Sequence, residues 1–282
     1  MQFYQDENEK FTDSEILVSL SPNFNTTGYL EFQINPTGGH LQLSDTTLTF
    51  AVDIPAELVP DNFFTSKLFE HCEVNINHTV INTKSSDNDY PLTTYFLTRM
   101  NWDESSLLST GALEGYWGNA NNDAGTFEVE SGHNNTHVEN RRTNTEKIFL
   151  DGKNYYRYQF ITRLNLGIAM TPQPLPKNAP IKLTFYRADA SKSLLTTTMD
   201  EHFKTKATNP DRSIKLVNPI LHASFIQSEH YDRKYANHRI QRVDFPFLDF
   251  NIHRELLLNG VDQFQIKLGE GKFYHILSCA AD

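Results

Sequence analysis

Hydrophobic and polar residues alternate with a period of two along much of the chain, the pattern of strands that bury one face. In residues 28–34 (GYLEFQI), Leu30, Phe32 and Ile34 alternate with Tyr29, Glu31 and Gln33, and residues 14–20 (SEILVSL) read as a strand before them. Pro36-Thr37-Gly38-Gly39 breaks the chain. Leu41, Leu43 and the run 47–54 (TLTFAVDI) then predict a long strand, ended by Pro55 and Pro60. Residues 72–81 (CEVNINHTVI) place Val74, Ile76 and Val80 against Glu73, Asn75 and Asn77, with a turn at Asn77-His78. Further strands are expected at 155–166, 181–186, 213–226, 239–247, 263–268 and 272–277.

The period changes in three places. In residues 61–71 (DNFFTSKLFEH), Phe64, Leu68 and Cys72 recur at a spacing of four with Phe69 beside them, which predicts a short helix capped by Asp61 or Asn62. Pro91 suits the first turn of a second helix, whose apolar face would carry Leu92, Tyr95, Phe96 and Met100. Trp102-Asp103 closes that helix and caps a third, with Leu107 and Leu108 ahead of Gly111. Residues 114–147 form the largest irregular stretch, and the polar segment 188–211, with Asn209-Pro210, is the candidate domain linker.

Composition agrees with a mostly β chain. The 282 residues include 26 Thr and 25 Asn but only 14 Ala, and Phe 20 and Tyr 12 against Trp 2. Thr, Phe and Tyr fit a pleated sheet, Asn fits turns, and Ala fits helices. Charged residues make up 21%, so the chain is ordered, and the net charge of −10 argues against a groove that grips nucleic acid through its phosphates. The start, MQFYQDENEKF, is polar and acidic where a secretion signal has a basic region and an apolar run. No stretch approaches the ~18 apolar residues of a membrane-spanning helix. The sequons at Asn25, Asn77 and Asn134 are therefore chance products of an Asn- and Thr-rich chain.

Chemistry-bearing clusters are sparse. His133 and His137 lie near Glu128, Glu130 and Glu139, but a solvated acidic loop accounts for them without a metal. His71, Cys72 and His78 resemble a thiol–base pair, yet strand alternation sends His71 and Cys72 to opposite faces. Cys72 and Cys279 read as two buried thiols, with a disulfide as the alternative. Asp87-Asn88-Asp89 lacks the glycine and distant glutamate of a calcium loop. Arg141-Arg142 reads as a surface ion-pairing site. The sequence thus predicts no enzyme, no cofactor and no metal site; a large β protein without a reaction centre is a structural or binding unit.

The order of features carries a resemblance. A long strand and a proline precede the aromatic helix DNFFTSKLFEH; the strand CEVNINHTVI, a polar turn and YPLTTYFLTRMNW follow. The chain resembles the double jelly-roll major capsid proteins of the Polinton/Maverick, adintovirus and polinton-like virus group. The residues that carry the match are Asn62, Phe64, Ser66, Leu68, Phe69, Val74, Ile76, Asn77, Ile81, Tyr90, Pro91, Tyr95 and Leu97, with later landmarks at 156–170, 179–195 and 213–247. Asn77-His78 stands where the family has Asn-Gly, and Pro91-Leu92-Thr93 where it has Pro-Tyr-Arg.

The resemblance implies an all-β, jelly-roll β-sandwich with short inserted helices, plus part of a second jelly roll. Residues 1–210 would form the first roll with a long insertion at 103–154, and residues 211–282 the start of a second, incomplete roll. It implies a structural viral or transposon-derived capsid protein that assembles as trimeric capsomers tiling an icosahedral shell. Its partners would be itself, as a homotrimer, and other capsid proteins, and its place the virion, after assembly inside the host cell. A minor capsid or vertex protein, or a carbohydrate- or receptor-binding jelly roll using Tyr116, Trp117 and Phe127, are the alternatives. The residues expected to serve packing or assembly are Phe63, Phe64, Leu68, Phe69, Tyr95, Phe96, Trp102 and Trp117.

Overall fold

The computed structural model describes residues 14–25, 28–36, 38–77, 79–82, 90–117, 141–177, 179–190, 193–196 and 214–236. They contain strands β1 (Ser14–Leu20), β2 (Asn23–Asn25), β3 (Tyr29–Ile34), β4 (His40–Pro55), β5 (Leu58–Pro60), β6 (Phe69–Ile76) and β7 (Thr79–Asn82). After these come β8 (Glu146–Leu150), β9 (Lys153–Arg163), β10 (Ile181–Arg187), β11 (Leu194–Thr196) and β12 (Lys215–Gln227). Helices α1 (Phe64–Leu68), α2 (Tyr90–Asn101), α3 (Glu104–Leu113) and α4 (Glu229–Ala236) complete the elements, with a 3-10 turn at Gly167–Met170.

Two antiparallel sheets face each other, in the orders β1-β12-β4-β9-β8 and β2-β3-β10-β6-β7. Four pairs are nested in sequence like a long folded hairpin: β1 with β12, β3 with β10, β4 with β9, and β6 with β7. The outermost and third pairs lie in one sheet, joined by β12 against β4. The second and innermost lie in the other, joined by β10 against β6. Folding such a ribbon over so that its pairs alternate between two sheets is the jelly-roll arrangement of eight strands. The expected fold class is the observed one.

One boundary needs correction. Residues after 210 were expected to open a second roll, yet β12 pairs with both β1 and β4 and is the eighth strand of the first. The reason is register: Leu221, Ala223 and Phe225 face the core, and without β12 the strand β1 has no partner and β4 loses one of its two. Asn218-Pro219 interrupts β12, where the pairing with β4 shifts between Val217 and Ile220 and Asn218 takes φ 45°. A bulge is where a sheet tolerates a proline. The strands expected at 239–247, 263–268 and 272–277, and Asn209-Pro210, lie outside the described residues.

The core lies between the sheets. Phe69 on β6 meets Phe50 on β4 across the sandwich (ring centroids 6.2 Å apart) and Phe185 on β10 beside it (5.1 Å). Leu30, Phe32, Ile34, Leu48, Val52 and Leu183 are fully buried around them. On the opposite face of β4, Asp53 is 1% exposed and accepts two hydrogen bonds from the Arg157 guanidinium, at 2.7 and 2.9 Å. The segment after β12 is fastened to the roll. Asp232 of α4 contacts Nε2 of buried His40 at 2.8 Å and the Lys177 ammonium at 2.6 Å, and Tyr231 lies against the His40 ring.

Of two local expectations, the turn after β6 is found and the long loop changes. Asn77 takes φ 49°, and β6 and β7 form a hairpin around the expected turn. The hairpin of β8 and β9 turns at Asp151 (φ 53°) and Gly152 (φ 77°), the two-residue turn that suits the right-handed twist of paired strands. Hence the 103–154 insertion is not one loop. It contains α3, β8 and the first residues of β9, while 118–140 lie outside the described residues.

Candidate assembly site

Helices α1, α2 and α3 gather on one side of the roll, and the eight aromatic and apolar residues singled out from the sequence lie in, beside or beneath them. α1 is shorter than expected: five residues, not eleven, because Phe69 and His71 already pair with β10. Neither Asp61 nor Asn62 caps it. Asp61 pairs with Lys67, and the Asn62 side-chain carbonyl accepts a hydrogen bond from the Trp117 backbone N–H at 3.1 Å. Instead the helix starts at Phe63 with φ 57°, a left-handed backbone held by the Phe63 N–H donating to the Gly115 carbonyl (2.9 Å).

That kink separates two neighbouring phenylalanines. Phe63 turns outward into a small cluster with Leu107, Tyr116 and Trp102, with the Tyr116 ring at 4.9 Å and that of Tyr95 edge-on at 5.6 Å. Phe64 turns inward and stacks on Phe160 of β9 at 4.9 Å. Leu68 and Phe69 join it in the main core. These four residues are buried and serve packing within the chain.

α2 buries a different face from the one its apolar residues predict. Tyr90, Thr93, Thr94, Leu97 and Thr98 face the roll, whereas Tyr95 is 40% exposed and Met100 56%. Threonine methyls fill this contact, so hydropathy alone picks the wrong side. On α3, Asp103 caps as expected, its carboxylate accepting from the Ser106 N–H at 2.7 Å. Leu107 is buried, and adjacent Leu108 therefore points away, exposed together with Leu113. Phe96 and Trp102 are half-buried. Beyond the helices, Ile16, Leu17 and Val18 of edge strand β1 and Phe149 of edge strand β8 are also exposed.

The strap that follows α3 runs back under α1. Thr65 donates to the Glu114 carbonyl through its N–H (3.3 Å) and its hydroxyl (3.0 Å). Gly115 takes φ 84°, and a Cβ there would lie 2.9 Å from that of Phe64, so only glycine fits. Trp117 is half-buried, edge-on to Phe160 at 6.4 Å and under the Arg141 guanidinium at 5.4 Å. Arg141 is itself buried, and Arg142 stacks on Tyr156 at 4.3 Å while donating to the Ala56 carbonyl. The pair expected to form surface ion pairs instead rivets the end of the insertion to the roll by cation–π contacts. Tyr116, offered from the sequence as a sugar-stacking residue, is buried, and Phe127 lies outside the described residues.

Glu114 is the site's buried acid. It is 3% exposed, its carboxylate accepts a hydrogen bond from the Arg163 N–H at 3.1 Å, and burial pushes it up to about 7. That N–H, the Arg163 charge and the Thr162 hydroxyl oppose the rise. Burial likewise raises the Tyr90 phenol and the Cys72 thiol, so Cys72 is held as a protonated core side chain. Its neighbour His71 is buried on the opposite side of β6, as alternation predicts, and His78 lies outside the described residues. Among the described residues no group of acidic, His and Cys side chains could hold a metal ion, and no helix is long and apolar enough to cross a membrane. The candidate ligands between 128 and 139 and Asp87-Asn88-Asp89 lie outside those residues.

No family model matches the chain, and no curated protein matches it in sequence. Solved structures do match in fold. A chain of the Sputnik virophage, solved by cryo-EM, superposes with a TM-score of 0.51 at 12% identity, covering 81% of this chain and 50% of that one. The mavirus major capsid protein aligns with a TM-score of 0.41 at 12% identity, covering 80% and 50%. The chain thus spans about half the length of the structures it matches. At these identities the likeness is one of fold, and that fold is the jelly roll expected from the sequence.

Proposed function

We propose that the chain is a structural capsid component whose roll is a building block of a viral or transposon-derived shell. The observation that carries the reading is the nested strand order, shared in fold with a virophage chain and completed by Gln227. A roll of this kind is a rigid two-sheet wedge that leaves its connections free to make contacts. In such a shell, two rolls side by side in each of three copies form a six-cornered capsomer that tiles an icosahedral surface. The chain works without catalysis or cofactor, and its partners are further copies of itself and other virion proteins.

Within this reading the eight site residues divide by exposure. Phe63, Phe64, Leu68 and Phe69 make the wedge stiff, and half-buried Trp117 holds the strap against Phe160; Tyr95, with Phe96 and Trp102 behind it and Met100, Leu108 and Leu113 on the same two helices, offers apolar surface to a neighbouring copy. Size-exclusion chromatography with light scattering tests the proposal. A trimer or larger species is expected, with interfaces above ~2,000 Å². A chain that stays monomeric at every concentration and never enters shells on co-expression with other virion proteins overturns it.

A further inference from the structure

The strap after α3 is closed over a carboxyl group with no countercharge in contact. Glu114 packs against three elements. From β9 it receives the Arg163 N–H, with the Thr162 hydroxyl beside it; from α1, Thr65 holds its backbone carbonyl; from α2 it faces the neutral phenol of Tyr90. The Arg163 guanidinium acts on it only from a distance, and among the described residues no lysine, arginine or histidine forms an ion pair with it. A buried carboxylate with one N–H and no cation is costly to ionise, whereas the neutral acid rests there at little cost.

We propose that Glu114 is a proton-operated latch: as the neutral acid it keeps the end of α3 and the strap to Trp117 seated on the roll, and loss of its proton to solvent favours their release. The seat is made of replaceable contacts. The strap is held by Phe63, Thr65 and Asn62 through hydrogen bonds to Gly115, Glu114 and Trp117, and all of these let go together if Glu114 leaves. The segment 118–140 continues directly from Trp117, so the latch fixes where the insertion departs from the roll. The titration falls near neutrality, in line with the elevation to about 7. The latch acts within one chain and does not depend on the shell reading.

The chain carries its own reporter. Its two tryptophans, Trp102 and Trp117, flank the strap, so intrinsic emission reads this region alone. The test is hydrogen–deuterium exchange of residues 111–117 and tryptophan emission from pH 5 to pH 8, on the isolated chain and on E114Q. With 4.5 when exposed and about 7 when seated, the opening constant of the wild-type strap should rise roughly fifty- to hundredfold over that range, after correction for intrinsic exchange. Emission should shift with one proton and a midpoint near 7. E114Q, neutral throughout, should stay seated with neither change. A wild-type strap whose opening changes less than about threefold overturns the latch without reference to any variant. So does a transition that persists in E114Q, since another group would then drive it. Because the readout is internal to the isolated chain, its failure leaves the light-scattering result on assembly untouched.

Discussion

Replacing Phe69 by alanine separates a packing residue from an assembly residue. Phe69 is 1% exposed, with ring contacts to Phe50 at 6.2 Å in one sheet and Phe185 at 5.1 Å in the other. A buried aromatic side chain removes on the order of 150–250 Å² from water. At ~25 cal/mol per Å² that corresponds to about 4–6 kcal/mol. Alanine retains part of this area and the cavity walls relax, so a loss of about 3–5 kcal/mol is expected. In a domain of this size each kcal/mol moves Tm by roughly 2–4 °C, which puts the melt on the order of 6–20 °C lower. Urea unfolding followed by circular dichroism measures the loss, with Tyr95→Ala as the comparison. Tyr95 is 40% exposed, so its removal should cost the isolated chain less than about 1 kcal/mol yet weaken association between copies. A Phe69→Ala chain with wild-type stability and lost association would refute the assignment of Phe69 to the core.

Gly115→Ala places a Cβ at φ 84° and 2.9 Å from that of Phe64; a loss of about 1–3 kcal/mol and a red-shifted tryptophan emission are expected in a urea titration. Asp53→Ala leaves the Arg157 guanidinium without the carboxylate it clasps at 2.7 and 2.9 Å; that guanidinium is 29% exposed and can hydrate, so a loss of about 1–2 kcal/mol is expected by the same measurement. The docking of α4 should depend on acid. Lys177, then His40, holds the Asp232 carboxyl below its ordinary 3.8, so the contact contributes fully above that value and is lost as pH falls through the lower, folded one. Exchange of the α4 amides at pH 3 and pH 6 should differ in the wild type and not in Asp232→Asn.

The sheets were legible because a sandwich strand buries one face and advertises it. Leu30, Phe32 and Ile34 alternate in sequence and are the residues found at 0% exposure. The helices were less legible for two physical reasons. α2 buries Thr93, Thr94 and Thr98, whose methyl groups pack while their hydroxyls make them read as polar, so Tyr95 and Met100 looked like the inner face. α1 ends early because its last predicted turn satisfies its backbone in β6 instead, a choice made by β10 more than a hundred residues away. Asp151-Gly152 between two alternating runs was a readable hairpin signal that marks β8. Burial of Arg141 and Glu114 left no trace in the sequence, since nothing local distinguishes a charged side chain on a surface from one beneath a strap. The eighth strand was recognised as a strand but assigned to the wrong roll, because alternation reports that a strand forms and not which strand it joins.

The pairing of β1 with β12 sets the timetable of folding. Ser19 bonds to His222, 203 positions away, and the register runs the length of both strands. Contacts of such separation form late, because chain entropy must be lost before they return anything. On the ribosome, β1 is made first, yet it has no partner until residue 227 has emerged. Through that interval Ile16, Leu17 and Val18, on a strand exposed even in the finished roll, present an unpaired apolar edge. The nascent chain therefore has a long window in which a foreign strand, or a chaperone, competes for the place of β12.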